Sequence, residues 1–289
     1  MKRWLAGCVA TGIALACFVS TAPAQTISTK KDVIYGVAWG SGLLADLAWP
    51  EGQTKLPVIL MVHGGRWRAG SKNDANYTKQ SIFAAKGFFA MNIDYRLIDA
   101  SPAPAPYQDI QAAIRWLHAH AAEYGLDENR IYMIGNSSGG HDVALAATLG
   151  PGPYPKTGGW DNAPATIAGA IAISGAYDIN GISWGNLWTP LTGDPTTGFT
   201  TLSGPAAIEA RKIASPLNNV SPQTRPLLML HSEDDKIVPF QQAVDMDRAL
   251  TAAGVYHKFI RYKDRGHMGF TDDAIREALA FIAELEARK

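Results

Sequence analysis

Gly135-Asn136-Ser137-Ser138-Gly139 places one serine at the centre of a G-x-S-x-G pattern, with a further glycine at position 140. The apolar run RIYMIG precedes it and the helix-period segment HDVALAATL follows. Glycines remove Cβ atoms and open backbone angles that other residues avoid, so a strand can turn sharply into a helix there. A serine at the apex of such a turn is pushed outward, at a helix N-terminus whose field favours developing negative charge. That is the geometry a nucleophilic hydroxyl needs. A glycine-rich turn with bystander serines is the alternative for this stretch alone. Ser138 lacks the glycine spacing and is expected to point elsewhere.

A hydroxyl is a weak nucleophile until a base takes its proton. His267, in Gly266-His267-Met268-Gly269-Phe270, follows the last apolar run and precedes the terminal helix pattern, where a loop can carry the ring over the strand ends. The other histidines fit less well. His118 and His120 lie two apart on one helix, His257 falls inside a strand pattern, and His141 enters the helix beside the serine and is expected to pack. The imidazole needs a carboxylate to fix its tautomer. His231-Ser232-Glu233-Asp234-Asp235 follows the run PLLMLHS, with Asp235 the first choice and Asp234 the reserve. The resulting chain order, Ser137, Asp235, His267, is that of α/β-hydrolases, unlike those of chymotrypsin-like and subtilisin-like proteases.

Met61-Val62-His63-Gly64-Gly65-Arg66-Trp67-Arg68 follows the run PVILM and supplies small residues where backbone N–H groups could approach an oxyanion. The expected donors are Gly65, Arg66 and Ser138. One such donor is typically worth about 3 kcal/mol in the transition state. His63 is expected to brace this loop.

Eight apolar runs must position these groups: VIYGVAW, LLADLAW, PVILMVH, FFAMNIDY, RIYMIG, IAGAIAIS, PLLMLHS and YHKFIRY. Helix-period segments separate several of them, around SIFAAKG, QDIQAAIRWLHAHAA, HDVALAATL and FQQAVDMDRALTAAG, and DDAIREALAFIAELEAR closes the chain. This alternation predicts a three-layer α/β/α sandwich around a mostly parallel sheet. Residues 25–289 are expected to form one domain. A Pro/Gly-rich loop spans 150–165, and 176–216 reads as an insertion forming a lid or pocket wall. Trp160, Trp184, Trp188 and Phe199 in these irregular segments could stack on a sugar or an aryl acyl group, or simply pack.

The 26 basic and 26 acidic residues balance, which argues against electrostatic capture of nucleic acid or a membrane surface. Residues 1–24 carry Lys2 and Arg3, an apolar stretch to Val19 and the small-residue site Ala22-Pro23-Ala24, the pattern of a cleavable export signal rather than a stable membrane span. The Leu5–Cys8 stretch lies before the apolar segment, unlike a lipoprotein box. Cleavage after Ala24 would remove Cys8 and Cys17, leaving a secreted or periplasmic chain without thiols. No metal or organic cofactor is expected, and oligomeric state is open.

Together these residues resemble the α/β-hydrolase superfamily, in particular secreted bacterial esterases of the hormone-sensitive-lipase-like and BD-FAE (feruloyl-esterase-like) groups. HGGRWRAGSK at 63–72, NIDYR at 92–96, the segment 109–141, DDKIVP at 234–239 and GH at 266–267 carry the likeness. The resemblance implies catalytic roles for Ser137, Asp235 and His267, oxyanion roles for Gly65, Arg66 and Ser138, and hydrolysis of a small ester, as on a plant polysaccharide. Arg66 replaces a common glycine and Ser138 a common alanine. Arg66 could lean over the entrance and favour polar or anionic substrates. Two other readings share parts of this pattern: a prolyl-oligopeptidase-type peptidase, and a binding protein on a hydrolase scaffold.

Overall fold

Strict alternation in the central strands explains the layering. In the computed structural model, which describes residues 25–194 and 198–288, the strands are β1 (Ile27–Ala38), β2 (Ser41–Pro50), β3 (Leu56–Val62), β4 (Phe89–Ile93), β5 (Leu126–Asn136), β6 (Gly169–Ile173), β7 (Leu191–Asp194), β8 (Gly198–Thr201), β9 (Leu227–Ser232) and β10 (His257–Tyr262). The helices are α1 (Gln80–Ala84), α2 (Ala105–Ala119), α3 (Ala121–Tyr124), α4 (Ser138–Thr148), α5 (Gly204–Ile213), α6 (Gln241–Ala252) and α7 (Asp272–Ala287). Successive side chains of a strand point to opposite faces. Val58, Leu60 and Val62 of β3 therefore join one core, with residues of α2, α4 and α6, while Ile59 and Met61 join the other, with Phe83 of α1 and Phe281 of α7. β5, β6 and β9 divide in the same way. Both faces of the sheet are covered, which is why these strands read as continuous apolar runs.

The main sheet has the order β1-β2-β4-β3-β5-β6-β9-β10. β1, β2 and β4 pair antiparallel, and every pairing from β4 to β10 is parallel. The eight apolar runs correspond to these eight strands, and the three-layer sandwich is the observed architecture. The parallel strands end on one rim, and β5, which leads into Ser137, lies in the middle of it.

The insertion holds more structure than its sparse periodicity suggested. β7 and β8 form a separate antiparallel ribbon, and α5 follows directly. Among the described residues, no helix is long and apolar enough to cross a membrane. The export signal expected over 1–24 lies outside the described residues.

Candidate active site

Ser137 joins β5 to α4 with φ 55° and ψ −121°, a conformation that L side chains seldom adopt. Holding a non-glycine residue there typically costs of order 1–3 kcal/mol. The turn is over-determined by its surroundings: Ser137 N–H donates to Ile173 O (2.9 Å) and Ser137 O accepts from His141 N (2.9 Å). The flanking glycines permit backbone contact. A Cβ on Gly135 would meet Gly139 O at 2.3 Å, and one on Gly139 would meet Val62 O at 2.4 Å.

His267 follows β10, after Gly266 in the left-handed region (φ 57°). Its Nδ1 lies 2.8 Å from Asp235 Oδ2. Asp235 sits in the turn after β9, where Oδ1 accepts from the N–H groups of Ile237 (2.8 Å) and Val238 (3.0 Å). Burial pushes the Asp235 carboxyl upward, but hydrogen bonds from His231, His267, Val238 and Ile237 together hold it far below the usual carboxylate range. An anion is thus fixed beneath the imidazole.

Asp234, the reserve, has a different task. Its Oδ1 accepts from Ser232 Oγ (2.6 Å) and from Gly266 N–H (2.8 Å), so it tethers the turn that carries His267. The Ser232 hydroxyl bond to Asp234, followed by the Gly266 bond, also lowers the Asp234 carboxyl from its ordinary value.

The loops of Ser137 and His267 are tied together. Asn136 Nδ2 donates to Met268 O (3.4 Å), and Met268 N–H donates to Ser174 Oγ (3.0 Å). Among the described residues the Ser137 hydroxyl makes no hydrogen bond, so the link from its Oγ to His267 is not closed in this structure. Such links commonly tighten only around a substrate.

Gly64 places the loop in which oxyanion donors are expected against the turn of Ser137: a Cβ there would stand 3.1 Å from Ser137 Cβ and 2.9 Å from Asn136 O. Gly65 (φ 121°), Arg66 (φ 56°) and Trp67 (φ 59°) continue with positive φ. Arg66 thus occupies a conformation natural to glycine, and its side chain is exposed. Gly65 O caps the turn by accepting from Arg68 N (3.0 Å) and Ala69 N (3.1 Å). Among the described residues, the N–H groups of Gly65, Arg66 and Ser138 find no backbone acceptor in these turns. The Ser138 side chain is fully buried and its Oγ accepts from Trp67 N–H (3.3 Å).

His63 braces this loop as expected. It is buried, its Nδ1 lies 2.7 Å from Gly64 O, and its ring stacks on Tyr95 at 4.2 Å. Burial lowers its basicity. Lys72, at the end of the same motif, is buried and pairs with Asp46 (2.8 Å) and Asp32 (2.7 Å), anchoring the loop to the β1–β2 hairpin.

Two buried groups in contact with the candidate site escaped the sequence reading. The first is His231, fully buried on β9, whose Nε2 lies 3.0 Å from Val238 O and 3.3 Å from Asp235 Oδ2. A carbonyl only accepts, so Nε2 carries the proton and leans on the same carboxylate oxygen as His267. The spacing His231-x-x-x-Asp235 was the available signal. The second is Asp142, fully buried, which accepts from Trp67 Nε1 (3.2 Å) and lies 3.0 Å from His141 Nδ1. His141 Nε2 donates to Ala214 O (2.7 Å), so a proton must lie between His141 Nδ1 and Asp142. Burial raises the Asp142 carboxyl despite the His141 bond. This network connects the oxyanion loop, α4 and the end of the insertion.

The four aromatic residues of the irregular segments separate. Trp188 is fully buried and Trp184 nearly so, with both rings 5.1 Å from that of Trp67; they pack behind the oxyanion loop. Trp160 and Phe199 are exposed, at 40% and 57%.

Comparison with known proteins agrees with this fold. Esterase LipQ of Mycobacterium tuberculosis is 28% identical over 227 residues, covering 78% of this chain and 53% of that protein. The chain spans about half the length of the curated relatives it matches. A truncated carbohydrate esterase from gut microbiota superposes with a TM-score of 0.72 at 24% identity, covering 92% of this chain and 99% of that one. An esterase of the planctomycete Thermogutta terrifontis gives 0.71 at 20% identity, covering 91% and 95%. These likenesses show the α/β-hydrolase fold. The BD-FAE family profile matches residues 45–250, a span that contains the oxyanion loop, Ser137 and Asp235 and ends before His267. With well over half of its length matched, the chain belongs to the BD-FAE family.

Proposed function

We propose that this chain is a serine hydrolase that cleaves carboxylic esters through an acyl-enzyme on Ser137. The observation that carries the reading is the 2.8 Å contact between Asp235 and His267, on a loop tied to the turn of Ser137. Asp235 accepts from Nδ1–H of His267, which leaves Nε2 as the base. Nε2 takes the Ser137 proton as Oγ attacks the ester carbonyl, and the N–H groups of Gly65, Arg66 and Ser138 receive the developing oxyanion. The imidazolium then protonates the leaving alcohol. In the second half a water molecule gives its proton to Nε2 and attacks the acyl-enzyme, and Ser137 regains its proton as the acid departs.

The ester is a small acyl or aryl ester carried on a polysaccharide. The carbohydrate esterase among the structural neighbours supports that choice. The exposed side chain of Arg66 at the loop favours substrates with polar or anionic groups. Export with cleavage after Ala24 belongs to the same proposal, and N-terminal sequencing of the mature protein tests it.

A fluorophosphonate probe followed by peptide mass analysis tests the mechanism. Labelling at Ser137, lost in Ser137→Ala, is the expected result, and an unlabelled wild-type protein overturns it. Turnover of p-nitrophenyl and feruloyl esters with no cleavage of matched amides separates an esterase from a peptidase.

A further inference from the structure

Trp39 is the most exposed large apolar residue described, at 79%. It forms the tip of the β1–β2 hairpin with Gly40, both at positive φ (50° and 80°). That turn favours Asn-Gly, and a bulky residue in its first position is conformationally costly. Its ring is nonetheless seated: the Arg96 guanidinium lies 5.4 Å from the centroid. Arg96 is itself fixed by Asp109, through contacts of 2.7–2.9 Å from Nη2 and Nε, and its buried Nη1 has no hydrogen-bond partner among the described residues. The cation lies against the indole, a favourable arrangement, while most of the ring stays open to solvent.

A second tryptophan shares this edge. Trp160, also at positive φ (61°), is held by a hydrogen bond from Nε1 to Tyr35 O (2.7 Å) and is 40% exposed. With Ile34, Val37, Gly158 and Gly159 it lines a shallow concavity of about 390 Å³. The four residue steps from Tyr35, which holds Trp160, to Trp39 span roughly 13 Å, with exposed Val37 between them.

The hairpin tip rises at the catalytic rim. β2 runs antiparallel to β4, and Asp94 N–H at the end of β4 donates to Leu44 O (2.9 Å), so residues 39–41 stand at the end where β3 and β5 deliver the oxyanion loop and Ser137. Three strand steps separate β2 from β5, roughly 15 Å. A small acyl or alkyl group does not bridge that distance, whereas a chain of several sugar rings does. Exposed Arg66 and Arg68 belong to the loop between and offer donors to hydroxyl groups.

We propose that Trp39 and Trp160 form a distal subsite for a linear glycan chain whose ester is cleaved at Ser137, an inference that rests on the ester-hydrolase reading above. Strand addition by a second copy is disfavoured along this stretch of β1. Val37 N–H already donates to Gly158 O (3.2 Å), and Tyr35 O is taken by Trp160. What is left to a partner is flat aromatic and aliphatic surface, which suits the C–H faces of sugar rings stacking on indoles.

The test uses full-length protein. In calorimetric titrations of Ser137→Ala with β-1,4-linked xylohexaose, cellohexaose and mannohexaose, at least one binds. Adding Trp39→Ala or Trp160→Ala weakens that binding about fivefold or more, and Trp39→Phe retains most of it. On the active protein, Trp39→Ala lowers the ratio of kcat/KM for acetylated xylan to that for p-nitrophenyl acetate by about tenfold, mainly through KM. Binding of none of the three oligosaccharides, or an unchanged ratio in Trp39→Ala, overturns the subsite and leaves the ester reading standing. No turnover of p-nitrophenyl acetate by the wild type, with oligosaccharide binding intact and sensitive to Trp39, overturns the ester reading and keeps the subsite. A wild-type dimer that Trp39→Ala dissociates in sedimentation assigns the face to a second copy and overturns the proposal.

Discussion

His231 Nε2 stands 3.3 Å from Asp235 Oδ2, and His267 Nδ1 meets the same oxygen at 2.8 Å. One anion therefore holds two imidazoles, one buried and one at the rim. His231 is expected to act as a positioning residue that fixes the carboxylate rotamer. Hydrogen bonds to a charged group contribute about 1.5–3 kcal/mol, so His231→Leu is expected to lower kcat about 10- to 100-fold with KM little changed. His231→Gln, whose amide can donate as Nε2 does, recovers most of the loss. Steady-state kinetics on p-nitrophenyl acetate decides it, and a rise in KM with constant kcat would exclude the positioning role.

The two neighbouring aspartates should behave unequally. Asp235 contacts the imidazole, so Asp235→Asn is expected to reduce kcat roughly a thousandfold or more by favouring the wrong tautomer. Asp234 holds the backbone of Gly266 instead. Asp234→Asn keeps an acceptor for that N–H and is expected to lose less than about tenfold, consistent with one weakened hydrogen bond. The reverse ranking would reassign the carboxylate.

The eight sheet strands were legible because burial on both faces makes each a continuous apolar run, and so was the placement of Ser137, Asp235 and His267 just beyond three of their ends. Side-chain partnerships formed by tertiary packing were not. Trp67 and Asp142 are 75 positions apart, and nothing local to either announces the other. Trp184 and Trp188 lie in a segment without helical or strand period, so their burial behind the oxyanion loop had no sequence signature. His231 was hidden by its setting, a polar residue inside an apolar strand that matters only because the next turn folds Asp235 back onto it.

Trp67 and Asp142 give a prediction about the oxyanion loop. Trp67→Phe keeps an aromatic ring, smaller than the indole, but removes the N–H that Asp142 accepts at 3.2 Å, which frees a loop proposed to aim its N–H groups at one spot. A fall in kcat of about tenfold with unchanged KM is expected, since misplacing oxyanion donors acts on the transition state. Asp142→Ala also strips His141 of its Nδ1 partner inside the core. Leaving buried polar groups unpaired should cost about 3 kcal/mol of stability, visible in urea unfolding. Full kinetics and full stability in both variants would remove the network from the functional account.

Acid should reveal Asp235 through stability. Its carboxyl is depressed in the folded protein, with burial opposing and the bonds from His231, His267, Val238 and Ile237 prevailing. The unfolded chain therefore binds the proton more readily than the folded one. The stability from this difference is fully present above the ordinary aspartate value of about 3.9 and is lost as pH falls from there toward the lower folded value. Asp235→Asn has no such proton to bind. The part of the stability gap between wild type and Asp235→Asn that comes from the Asp235 proton accordingly narrows as pH falls below about 4. Chemical unfolding of both proteins across that range measures the gap, and a gap that widens in acid would show that Asp235 is not held as an anion.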